Sequence, residues 1–135
     1  MKELTIDATI DSIPKVLSFV EEELDKLKCD FATKTKINVA ADEIFSNIAN
    51  YAYGISGGKA TIKIENVDDK KELKITFVDE GKPYNPLEKK DPDTKLPLEK
   101  RTIGGLGILI VKKSMDDVKY EYKDNKNILT LIKKF

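Results

Sequence analysis

The run Thr61-Ile62-Lys63-Ile64-Glu65, the polar break Asn66-Val67-Asp68-Asp69-Lys70-Lys71, and the run Leu73-Lys74-Ile75-Thr76-Phe77 form two apolar–polar alternations joined by a turn. Alternation of period two marks strands with one buried face, and the break suits an antiparallel hairpin. A hairpin greasy on one side needs a second layer to cover it.

The residues before it supply that layer. Leu4, Ile6 and Ala8 alternate with polar neighbours, which predicts a short first strand. Asp11-Ser12 ahead of Pro14 has the form of a capped helix start. Ile13, Val16, Leu17, Val20, Leu24 and Leu27 then recur at helical spacing, which predicts about four turns ending near Cys29. A second helix fits 32–53, closed by Gly54 and Gly57-Gly58.

Beyond the hairpin, four of the five prolines fall in the charged stretch 80–102, too long for a plain connection. Gly104-Gly105-Leu106-Gly107 leads into Ile108-Leu109-Ile110-Val111, read as a helix entered through a glycine turn. The β-branched content leaves a strand as the competing reading. Two closing strands fit 118–122 and 128–135, joined by Asp124-Asn125-Lys126-Asn127. The order strand, helix, helix, hairpin, loop, helix, hairpin predicts one α+β domain over 1–135. It is a two-layer sandwich with a mostly antiparallel sheet and helices on one face.

Composition narrows the chemistry. The chain of 135 residues has no histidine, which excludes within it a Ser-His-Asp triad, a Cys-His dyad, His-ligated zinc or haem and a phosphohistidine relay. Its one cysteine, Cys29, excludes an internal disulfide and any cysteine-built zinc cluster. Lys+Arg and Asp+Glu are 24 each, so no bulk charge argues for nucleic acid or an anionic membrane surface. No stretch approaches the ~20 apolar residues that span a bilayer, and the N-terminus is no signal sequence, so a cytoplasmic location is expected.

Three segments remain as candidate chemistry. On the second helix, Ile37, Ala41, Ile44, Ile48 and Ala52 form an apolar stripe, with Glu43, Asn47 and Asn50 beside it. Glu43 and Asn47 stand one turn apart. A carboxylate and an amide so placed can hold a proton, a water or Mg²⁺; a solvated helix edge has the same spacing. Asp79 shares parity with Leu73, Ile75 and Phe77, so its carboxylate is expected to face inward, where it suits an exocyclic amine, with Gly81 letting a flat ring approach. The same Asp-x-Gly is also an ordinary turn signal. The glycines of 104–107 before a helix offer backbone N–H groups to phosphate, although they form neither a Walker A loop nor a Rossmann fingerprint.

Asp42-Glu43-Ile44-Phe45-Ser46-Asn47, Asp79-Glu80-Gly81-Lys82-Pro83-Tyr84-Asn85-Pro86 and Arg101-Thr102-Ile103-Gly104-Gly105-Leu106-Gly107-Ile108 occur in that order. They resemble the N, G1 and G2 boxes of the GHKL ATPase superfamily, and among its members the anti-sigma-factor serine/threonine kinases. The resemblance covers nearly the whole chain and implies the Bergerat ATP-binding fold. It implies ATP and Mg²⁺ as cofactors, with Asn47 as the metal ligand, Glu43 as general base and Asp79 on the adenine amine. It implies further nucleotide contacts from Asn50, Gly81, Tyr84, Arg101, Gly104, Gly105, Leu106 and Gly107, with a lid over roughly 87–104.

The implied partner is a STAS-domain anti-anti-sigma protein, with a sigma factor as a second one and a homodimer as the assembly. Two departures from the family pattern stand out. The superfamily often has threonine near the start of the last strand, where this chain has Asn127-Ile128-Leu129, and Tyr51 stands where many of these kinases have histidine. The leading functional expectation is a Mg·ATP-dependent serine/threonine kinase. The alternatives are a nucleotide-gated module that sequesters a regulator, and a catalytic module acting on another protein's histidine.

Overall fold

A computed structural model describes residues 1–67, 71–88 and 105–134. The order is β1 (Lys2–Asp7), α1 (Ile13–Lys26), α2 (Phe31–Tyr51), β2 (Lys59–Val67), β3 (Glu72–Asp79), α3 (Gly105–Ser114), β4 (Asp117–Lys123) and β5 (Lys126–Lys134), with 3₁₀ turns at Ile10–Ser12 and Pro86–Glu88. The strands form one antiparallel sheet in the order β1-β2-β3-β5-β4, so the expected α+β architecture holds.

The alternating pattern sets the register. Ile62 pairs with Phe77 and Ile64 with Ile75, which puts four apolar side chains of the first hairpin on one face. Leu129 and Leu131 of β5 continue that face. Val16, Val20 and Leu24 of α1 cover it, with Ile37, Ala41, Ile44 and Ile48 of α2, all buried. Phe45, which does not belong to the expected stripe, is also fully buried and is among the largest side chains of the core.

Several boundaries differ from expectation for local reasons. Ser12 makes no side-chain cap on α1; its hydroxyl meets that of Thr9 at 3.2 Å, and Pro14 alone marks the helix start. α1 ends at Lys26, and Lys28 takes a left-handed φ of 56° that turns the chain out of the helix. α2 begins one residue early because Asp30 caps it, accepting the Thr33 N–H at 2.7 Å. The 105–114 segment is a helix, α3, which resolves the competition with a strand. The closing hairpin turns on Asp124 and Asn125 alone, with φ of 53° and 62°, as a two-residue turn requires. Lys126 and Asn127 therefore belong to β5 and not to the connecting loop.

Candidate functional site

The site grows from the shared end of β3 and β5. Asp79 closes β3 and lies directly opposite Asn127, the second residue of β5. Parity turns Asp79 inward as expected, and it is 5% exposed. Burial pushes its carboxyl above the usual aspartate range, and hydrogen bonds from Asn127 and the Gly81 N–H partly offset that rise. Both donors, each at 2.9 Å, bind the same oxygen, Oδ1. Asp79 thus supports the Asp-x-Gly turn with one oxygen while its buried carboxylate lines a cleft.

That cleft has walls of Ile44 and Ile48 from α2 with Ala52 just beyond its end, Phe77 and Leu129 from the sheet, and Pro86. Asn47, Asp79, Lys82, Tyr84, Tyr120 and Asn127 add the polar groups. An apolar slot with a few convergent polar groups is the usual form of a small-molecule site. Asn47 reaches it from α2, and its Nδ2 is buried without a hydrogen-bond partner among the described residues. Such an orphaned donor is costly unless a ligand or water completes it. Tyr84 lines the cleft, and its ring packs against Tyr51 with centroids 5.8 Å apart and planes tilted by 39°.

The loop after β3 is fastened on three sides. The Lys82 N–H donates to the Ala52 carbonyl at 2.9 Å. The Tyr53 hydroxyl accepts the Glu80 N–H at 2.8 Å and donates to the Lys59 carbonyl at 2.6 Å. Asn127 holds the third side through Lys82 and Tyr84. A β-carbon at Gly81 would overlap the backbone carbonyl and side chain of Ala52, so a glycine there permits close approach of the chain just beyond α2.

Glu43, half-buried on α2, lies outside the cleft lining and at the start of α3. A β-carbon built on Gly107 would overlap its carboxylate carbon and both oxygens. A carboxylate in the first turn of a helix is favoured by the backbone dipoles there. Among the described residues no three His, Cys, Asp or Glu side chains cluster as a metal site. A cation here would have to rely on few protein ligands, as Mg²⁺ beside phosphate does.

A family model described as the histidine kinase-like ATPase domain matches residues 6–133. The chain belongs to the histidine kinase-like ATPase domain family. It is 27% identical over 95 residues to the serine/threonine-protein kinase BtrW of Bordetella bronchiseptica, spanning 70% of this chain and 66% of that protein. The chain thus spans just under two thirds of that relative's length. In structure it is similar to the RsbU and RsbW domains of Rv1364c from Mycobacterium tuberculosis, with a TM-score of 0.65 and 15% identity, covering 99% of this chain and 32% of that one. It is also similar to the Acinetobacter baumannii histidine kinase AdeS, with a TM-score of 0.54 and 18% identity, covering 99% and 68%. The catalytic domain of the histidine kinase ThkA gives a TM-score of 0.50 at 16% identity, covering 99% and 97%. At such identities the likeness is one of fold.

In this ATPase domain the expected site residues are brought together unevenly. Asn47, Asp79 and Tyr84 share the cleft, while Glu43 and Gly107 meet outside its lining, between α2 and the start of α3. Asn50 is exposed and does not line the cleft. Gly105 opens α3 and Leu106 follows it in the helix. Arg101, Gly104 and the expected lid beyond 88 lie outside the described residues. Sequence reasoning missed Tyr120 and Tyr53 as parts of the site and met Asn127 only as a departure from the family pattern; the strand register is what sets Asn127 opposite Asp79. No described helix is long and apolar enough to cross a membrane.

Proposed function

We propose that this ATPase domain binds Mg·ATP in the cleft between α2 and the β3–β5 edge, and transfers its γ-phosphoryl group to a serine or threonine hydroxyl of a STAS-type anti-anti-sigma partner. The observation that carries the reading is Asp79. A buried carboxylate with one oxygen saturated by the protein, at the base of an apolar slot, is an acceptor for a ligand donor such as the adenine amine.

When bound, Mg·ATP supplies the phosphoryl group and the cation that neutralises charge in transfer. The residues present fit it. Asn47 would hold the cation through Oδ1, and its orphaned Nδ2 has a donor to offer a phosphate or water oxygen. The N-terminal backbone of α3 would face phosphate, with Gly107 leaving room for the Glu43 carboxylate beside it. Glu43 would accept the proton of the attacking hydroxyl as the new O–P bond forms and ADP leaves. The serine/threonine choice and the partner are supported by the named activity of BtrW and by the family resemblance of the three boxes. Sigma-factor binding and a homodimer belong to the same reading.

The deciding experiment is incubation with γ-labelled ATP and candidate STAS proteins. Label on the partner that is stable to acid and lost in base is expected. Acid-labile label on a histidine-bearing partner would replace this reading with a histidine kinase. Tight ATP binding with no transfer would leave a nucleotide-gated binding module.

A further inference from the structure

Asn127 is 6% exposed and holds a full set of hydrogen bonds. Its Nδ2 donates to Asp79 Oδ1 and to the Lys82 carbonyl, both at 2.9 Å, with the Gly81 carbonyl farther away at 3.4 Å. Its Oδ1 accepts the Tyr84 N–H at 3.1 Å and the Tyr120 hydroxyl. A primary amide has two N–H bonds and two lone pairs, so all four are spent within the protein. The orientation is fixed as well: a flipped amide would set donor against donor at Tyr84 and acceptor against acceptor at Asp79.

We propose that Asn127 is the positioning residue for base selection. Resting on the ATP-site reading above, it aims Asp79 by occupying Oδ1, leaving Oδ2 as the acceptor for an exocyclic amine, and pins residues 82–84 as the wall of the base slot. Two consequences follow from its saturated valences. Asn127 does not itself hydrogen-bond the nucleotide or relay a water to it, unlike a short hydroxyl residue with capacity to spare. The donor it gives Asp79 also favours the ionised carboxylate, the form that accepts from an amine, against the burial that disfavours it.

The test compares ATP with purine riboside triphosphate, which lacks the 6-amino group, by calorimetry on the full chain. The wild-type protein should prefer ATP by about 10–100-fold, within the range of one buried hydrogen bond to a charged acceptor. Asn127→Ala should compress that preference to about 3-fold or less, mostly by weakening ATP. A merely structural role would weaken both nucleotides alike and leave their ratio unchanged, which would overturn the proposal.

Tyr120→Phe, on the partly exposed edge strand β4, serves if the alanine variant does not fold. It frees one side of the amide carbonyl and should narrow the preference by at least about 2-fold. An unaltered ratio there would equally overturn the role of Asn127. A wild-type protein that binds the two triphosphates equally would instead remove the underlying reading of Asp79.

Discussion

The carboxylate of Glu43 on α2 rests on the α-carbon of Gly107 in the first turn of α3, with no room for a methyl group between them. The glycine that the sequence suggests for phosphate approach is therefore also the residue that lets the candidate base reach the start of α3. Gly107→Ala should force Glu43 aside or tilt α3, at a cost of about 1–3 kcal/mol typical of overpacking. In a Glu43→Ala background the same substitution should cost at least about 1 kcal/mol less, because the colliding group is gone. Urea unfolding of the four chains measures the coupling; additive costs would place the strain elsewhere.

Glu43→Gln separates binding from chemistry. It keeps shape and much of the hydrogen bonding while removing basicity. ATP affinity should stay within about tenfold of wild type while phosphoryl transfer falls by roughly 10²–10⁴. A helix edge with no role would leave both unchanged, and a purely structural role would appear as a lower melting temperature.

Asp79→Asn should trade affinity against stability. Oδ1 survives and can still accept from Gly81 and Asn127, but Oδ2 becomes a donor facing the adenine amine, so ATP binding should weaken by about 1–3 kcal/mol. Burial raises the pKa of Asp79, so the ionised form is a net cost to the folded state above that raised value. The wild-type protein sheds the cost as pH falls through the raised pKa, when the folded state takes up the proton before the unfolded one. The variant carries no such cost at any pH. Its melting temperature should therefore equal or exceed wild type near pH 7, with the gap shifting toward wild type as the pH drops to about 4. A variant that melts well below wild type at neutral pH would contradict this account.

Asn47→Ala removes a buried donor that lacks a partner among the described residues, so its lost packing is offset by a relieved penalty of about 1–3 kcal/mol. Stability should stay within about 1 kcal/mol of wild type. The strengthening of ATP binding by Mg²⁺ should disappear; calorimetry with and without the cation reads it directly, and an intact metal effect would remove Asn47 as the ligand.

Much of this molecule is legible in its sequence because periodicity is local. The alternation of Ile62, Ile64, Leu73, Ile75 and Phe77 specifies a one-faced hairpin, and the stripe Ile37, Ala41, Ile44, Ile48, Ala52 specifies the helix face that covers it. The same rules place Glu43 and Asn47 on one side of α2 and turn Asp79 inward. The closing turn misleads at this level: Asp124-Asn125-Lys126-Asn127 is uniformly polar, and nothing local says that two left-handed residues suffice to reverse the chain.

That two-residue turn is where tertiary structure takes over. It moves Asn127 into β5 opposite Asp79, residues separated by 48 positions that only the antiparallel register can bring together. Tertiary packing likewise sets Gly81 against Ala52 and Gly107 against Glu43, since neither contact lies within one element. Local sequence determines which face each side chain takes, because backbone geometry repeats every 2 or 3.6 residues. Which distant polar groups then saturate one another is decided only when the core closes, because a buried donor or acceptor must find its partner wherever packing has put one.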